Sequence, residues 1–167
     1  MTADATTTGS PNTGSPALAL VHAHLSMLLS ALWFEIDHRD GSGASGFFTA
    51  DAELTFSRRT FRGTNEIDGV YRDRTARGPR VSRHLVSNVH VLHHEADLVE
   101  AVSALVLYAQ AGEAPMPTTV PVLIADVFDR FVHVSGSAAE PDRWLIASRR
   151  IENRFLMPGD VLAVPTE

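Results

Sequence analysis

From Val81 onward apolar residues recur at every second position, in runs from Val81 to Leu92, Leu98 to Tyr108, Val120 to Val134 and Trp144 to Phe155. Period two puts alternate side chains on opposite faces of an extended chain, so these four runs are predicted to be strands. Their separators, "HHEAD", "AGEAPMPTT" and "SGSAAEPD", are short and polar, and long neighbouring strands joined that way pair antiparallel. Upstream the period is helical. Leu18, Val21, Leu25, Leu28, Leu29, Leu32 and Ile36 stand three or four apart, one stripe of a long amphipathic helix. Ser15-Pro16 supplies an N-cap and a first-turn proline, and "DGSGASG" follows its end near Asp37-His38. Between helix and sheet come a short strand, Asp51 to Phe56, and a second helix. Thr64 is the predicted cap of that helix, Ile67, Val70 and Tyr71 share one of its faces, and Gly78-Pro79 stops it. Helices first and an antiparallel sheet afterwards predict an α+β domain, with the first helix across the concave face of a curved sheet and a pocket between them.

A chain of 167 residues holds one domain. The periodic pattern occupies 16–157, and 1–15 and 158–167 read as flexible tails. The opening "MTADATTTGSPNTGSP" lacks the positive region of a signal peptide. Ala17 to Ile36 has the length of a membrane span, but His22, His24, Ser26, Ser30 and Glu35 interrupt it, so a soluble, cytoplasmic protein without a membrane partner is expected. A net charge of -6 argues against a nucleic-acid partner, because phosphate binding needs a cationic face. The chain has no cysteine, which excludes disulfides, thiolate nucleophiles and cysteine-ligated metal. All 14 cationic side chains are arginine, which excludes a lysine Schiff base. There is no glycine-rich phosphate loop and no G-x-S-x-G elbow. Chemistry is left to His, Asp, Glu, Tyr, Ser and Arg.

"SRHLVSNVHVLHH", residues 82–94, carries four of the eight histidines. On a strand His84, Val86, Asn88 and His90 share one face, which is either a pocket wall or the wetter side of the sheet. His93 and His94 fall in or beside the turn, and no third ligand is spaced to join them. His22 and His24 stand about 200° apart on their helix. No metal and no cofactor is therefore expected. Asp37 lies at a helix C-terminus, where the helix dipole disfavours a carboxylate, and that placement hints at a job elsewhere. Trp33, Phe34, Phe56, Tyr71 and Tyr108 are candidate lining residues, and Asn88 could orient a substrate or His84. Asp126 and Asp129 point to opposite faces, and Asp129 is expected to pair with Arg149 or Arg150.

From about Leu18 to Ile151 the stretches "FFTADAEL", "FRGTNEIDGVYRDRTARGPRVSRHLVSNVHV" and "RWLIASRRI" resemble the SnoaL-like branch of the nuclear transport factor 2-like superfamily. The resemblance implies a cystatin-like, cone-shaped roll of curved antiparallel sheet wrapped around the N-terminal helix. The superfamily includes scytalone dehydratase, polyketide cyclases, ketosteroid isomerases and epoxide hydrolases. By position Asp37 and His84 correspond to the Asp and His that scytalone dehydratase pairs, which places His84 on a pocket wall. A second strand histidine of that enzyme falls near Ser103 here, a candidate substrate contact, and its tyrosine before the Asp is Ile36. The implied activity is cofactor-independent acid–base catalysis by an Asp–His dyad: dehydration, isomerisation or cyclisation of a small, largely apolar oxygenated substrate such as a polyketide, terpenoid or steroid. Sheet-face pairing in the superfamily implies a homodimer. It also contains the small subunits of ring-hydroxylating dioxygenases, so the alternative is a non-catalytic binding or assembly subunit. Fold membership does not choose between them; the site does.

Overall fold

The computed structural model describes residues 16–56, 58–136 and 141–158. The predicted tail 1–15, the Ser15 cap, most of the turn before the last strand and residues 159–167 lie outside the described residues. Helix α1 runs Pro16–His38 and a 3-10 turn covers Ala44–Phe47. Strands β1 (Phe48–Phe56) and β2 (Arg59–Arg62) precede helix α2 (Gly63–Ala76). Strands β3 (Arg80–His94), β4 (Leu98–Ala111), β5 (Leu123–Val134) and β6 (Arg143–Leu156) follow. They form one open six-stranded sheet in the order β2-β1-β6-β5-β4-β3.

Four of the five strand pairings are antiparallel, as the short polar turns predict, but β1 pairs with β6 in parallel. Alternation gives no strand direction, and only a direct hairpin enforces antiparallel pairing; β1 and β6 are separated by most of the chain. Strand β2 is absent from the sequence reading, because four residues are too few to establish a period. Strand β5 begins at Leu123 rather than Val120: Val120 is 62% exposed and Pro121 has no N–H for the ladder. Helix α2 starts at Gly63 without a cap from Thr64; instead the Glu66 carboxylate accepts the Arg62 backbone N–H at 2.8 Å.

The core lies between α1 and the inner face of the sheet. Leu25, Leu29, Leu32, Trp33 and Ile36 are buried along one side of α1. Val99, Ala101, Ser103, Leu105, Leu107 and Ala109 are the buried alternate positions of β4. By length and composition α1 could cross a membrane, yet its Leu25–Ile36 side is spent on this core. The chain leaves α1 through Asp40 and Gly41, both at positive φ, with the Gly41 N–H returning to the Glu35 carbonyl at 3.1 Å. A side chain at Gly41 would meet the Tyr71 ring at 2.9 Å, so glycine here lets the end of α1 approach α2.

Candidate active site

The end of α1 abuts the start of β3, and this junction positions Asp37, Ser82 and His84. Asp37 is one residue beyond the last buried position of α1, and its carboxylate turns toward β3. It accepts three hydrogen bonds: from Ser82 Oγ at 2.6 Å and His84 Nδ1 at 2.7 Å on Oδ1, and from the His84 backbone N–H at 2.7 Å on Oδ2. Ser82 and His84 share a strand face because they are two residues apart. Behind them Arg74, on α2, donates Nη2 to Ser82 Oγ at 2.7 Å and Nη1 to the Ile36 carbonyl at 2.9 Å. The side chains of Asp37 and His84 are 5% and 9% exposed, so these bonds are made almost without water.

An ionised carboxylate only accepts, so Nδ1 of His84 carries the ring proton and Nε2 is the basic nitrogen left for a substrate. Trp33 stacks on the imidazole at 4.1 Å, with 11° between ring planes, and fixes its orientation. Burial lowers the His84 pKa from 6.5; the hydrogen bond and charge of Asp37 oppose this, while the charges of Arg74 and Arg80 add to it. Burial alone would raise the Asp37 carboxyl, but the hydrogen bond and charge of His84, Ser82 Oγ–H and the His84 N–H outweigh it and bring it to about 2. At neutral pH the pair is a carboxylate holding a neutral imidazole. Burial likewise raises Tyr71, against the charges of Arg149 and Arg74, and keeps its hydroxyl protonated.

His84 forms part of the wall of a cavity of about 120 Å³ between α1, α2 and the sheet. Trp33, Phe56 and Tyr71 line it, together with Ile36, Leu54, Phe61, Val70, Leu105, Leu107, Leu123 and Ile151. Three arginines, Arg74, Arg80 and Arg149, interrupt this apolar wall. Asp129 holds Arg149 by a two-bond fork, Nε–Oδ1 at 2.7 Å and Nη2–Oδ2 at 2.9 Å. This is one of the two pairings expected for Asp129, and Asp126 turns to the other face and meets Arg154.

Four candidates lie outside this wall. Phe34 is 51% exposed and stacks on His38. Tyr108 is on the opposite face of β4 from Leu107 and pairs across strands with Arg83. Asn88 is exposed at a bulge of β3 between Ser87 and His90, with φ of 52°. The bulge shifts the face by one residue, so Val89 and Val91, not Asn88 and His90, pack toward the core. Ser103 is buried on the inner face of β4 but is not part of the cavity wall. His90 and His94 are exposed and His93 meets Glu95 at the surface. Among the described residues no group of three His, Asp or Glu could hold a metal.

Sequence reasoning missed Ser82, Arg74, Phe61 and the cavity-facing role of Arg149. Two of these carried a signal: Ser82 is two residues from His84 on a strand, and Arg74 is three from Tyr71 on a helix. Phe61 sits in the strand too short to recognise.

The solved structures similar in fold include a provisionally named scytalone dehydratase from Novosphingobium aromaticivorans DSM 12444, at 13% identity and TM-score 0.72, covering 88% of this chain and 93% of that one. The beta subunit of a provisionally named aromatic-ring-hydroxylating dioxygenase from the same organism aligns at 15% identity and TM-score 0.70, over 90% and 99% of the two chains. Aln2 from a Streptomyces species aligns at 20% identity and TM-score 0.65, over 84% and 93%. No curated protein matches the chain. At such identities these likenesses speak to fold alone, but the SnoaL-like domain model matches residues 20–150, most of the chain, and the protein belongs to the SnoaL-like family.

Proposed function

We propose that this protein is a cofactor-independent acid–base enzyme, a dehydratase, isomerase or cyclase, in which Asp37 and His84 act as a dyad on a small, largely apolar oxygenated substrate of polyketide, terpenoid or steroid type. The observation that carries the reading is the 2.7 Å bond between His84 Nδ1 and Asp37 Oδ1 at the wall of an apolar cavity. His84 Nε2 takes a proton from the carbon alpha to a carbonyl, and the C–H electron pair becomes the enolate double bond. The resulting imidazolium, stabilised by Asp37, returns that proton to carbon for isomerisation or to a departing hydroxyl for loss of water. Acid–base help of this kind is worth roughly 10²–10⁴-fold in rate.

Alpha-proton exchange tests this without the natural substrate. In D2O, 2-tetralone followed by NMR should exchange faster with the wild type than with His84→Ala or Asp37→Asn, by roughly 10²-fold or more for His84→Ala. Equal rates for wild type and His84→Ala, background rates included, overturn the dyad.

A second reading draws on the outer sheet face. Leu85, Val106, Ile124 and Phe155 are successive cross-strand partners on β3, β4, β5 and β6, a continuous apolar row with Leu85 and Phe155 53% and 69% exposed. Such a row suits a protein partner. Within the enzyme reading that partner is a second copy of the chain; in the rival reading, a non-catalytic assembly subunit, it is a different protein. Catalysed exchange by the isolated protein decides for the enzyme.

A further inference from the structure

Arg149 is 2% exposed, and what remains of its surface belongs to the cavity wall. Of its five N–H donors, the fork with Asp129 engages Nε and Nη2. The Nη1 group, with two donors, is left over. A buried ion pair of this kind adds little net stability, because the cost of removing two charges from water consumes most of their attraction. An apolar pair at Asp129 and Arg149 would serve the core as well, and the neighbouring inward residues Val127, Phe131 and Ile146 are apolar. The position of the pair therefore asks for a chemical reason.

The surroundings supply one. Trp33 touches both sides of the chemistry: its ring stacks on His84 at 4.1 Å and lies 5.3 Å from the Arg149 guanidinium carbon. Base and guanidinium thus lie against one indole and line one cavity, within reach of a single small molecule. Asp129 neutralises the guanidinium overall, so the cavity presents oriented N–H donors without a large uncompensated charge. Donors fixed in a dry wall favour an oxygen whose negative charge develops during reaction, and they need no reorganisation when it appears. Tyr71, on the same wall, feels the charge of Arg149 and keeps its proton, so it can add a second donor.

We propose that Arg149, held by Asp129, is an oxyanion-binding residue: its Nη1 receives the carbonyl oxygen of the substrate, which becomes enolate or phenolate as His84 removes the neighbouring proton. The inference rests on the dyad reading and narrows the substrate to a ketone, enone or phenol whose oxygen and acidic carbon span the gap from Arg149 to His84. Elimination and isomerisation both pass through that oxyanion.

The test uses 4-nitrophenol, whose ionised form is visible by absorbance, and needs no turnover. An apolar cavity by itself disfavours the anion and raises the pKa of a bound phenol; donors aimed at the oxygen lower it. The sign therefore decides. With the wild type, bound 4-nitrophenol should ionise at lower pH than free, by about one unit, a tenfold preference for the ionised form. His84→Ala should keep that preference, which separates this proposal from the dyad. Because Arg149→Gln alone strands a buried Asp129, the informative variant is Arg149→Gln with Asp129→Asn, checked for folding by circular dichroism; it should reverse the sign. An Arg149 side-chain ¹⁵N resonance that moves when nitrophenolate binds the wild type supports the assignment even if the double variant does not fold. No binding, an unchanged or raised pKa in the wild type, a lowered pKa surviving in the folded double variant, or an unmoved Arg149 resonance overturns it.

Discussion

At the scale of single residues, the site is a problem of keeping a carboxylate ionised and an imidazole neutral in a place with almost no water. Three donors do the first, and burial beside arginines does the second. Removing one donor should be felt. Ser82→Ala leaves Arg74 Nη2 and Asp37 Oδ1 each short of a partner, and bonds to charged groups are worth about 1.5–3 kcal/mol. Urea unfolding should show a loss in that range. The pH dependence of stability has a definite sign. Both folded pKa values lie below their ordinary ones, 6.5 for His84 and 3.8 for Asp37, so acidification protonates the unfolded chain first. The His84 contribution is complete above pH 6.5 and lost as pH falls below it; the Asp37 contribution is complete above 3.8 and lost toward about 2. Melting temperatures should therefore drop between pH 7 and pH 5 in the wild type and drop less in His84→Gln. Asp37 was hinted at locally, as an acid at the wrong end of a helix, whereas His84, one of several histidines on its strand, was singled out only by the resemblance to scytalone dehydratase. Ser82 and Arg74 have no such contrast, and their importance comes from what they touch.

At the scale of elements, periodicity read the strands well and the bulge not at all. An extra residue in β3 cannot be recognised from alternation, since Val89 and Val91 are as apolar as Val86. The local clue was Asn88 itself, one of the few residue types that tolerates a left-handed backbone. His22 on α1 reaches this point, its Nε2–H donating to the Val89 carbonyl at 3.1 Å. Asn88→Gly should leave stability nearly unchanged. Asn88→Val, β-branched at φ of 52°, should cost about 1–3 kcal/mol by urea unfolding without changing the protein's affinity for 4-nitrophenol. Gly41 is the corresponding joint between α1 and α2. Its φ of 82° and the 2.9 Å approach to Tyr71 leave no room for a methyl group. Gly41→Ala should cost at least about 1 kcal/mol in the same measurement, and by displacing Tyr71 it should also weaken 4-nitrophenol binding.

At the scale of the whole molecule, an open sheet leaves two faces with different fates. The inner face is closed by α1 and α2 around the cavity; the outer keeps the row from Leu85 to Phe155 in water. If a second copy covers that row, Leu85→Glu should convert a dimer into a monomer in sedimentation velocity while leaving the melting of the monomer within about 0.5 kcal/mol of wild type. The α+β class, the order of the helices and of the strands other than β2, and the stripe of α1 were determined by the sequence alone, because each follows from short-range spacing of apolar residues along the chain. The parallel seat of β1 beside β6, the phase shift in β3, the meeting of His84, Arg74 and Arg149 on one cavity wall and the bonding of Asp37 and Ser82 behind it were decided only in three dimensions. Those contacts join residues far apart in the chain, and strand order, bulges and the facing of a buried charge are settled by packing and hydrogen-bond satisfaction between elements, which no local period records.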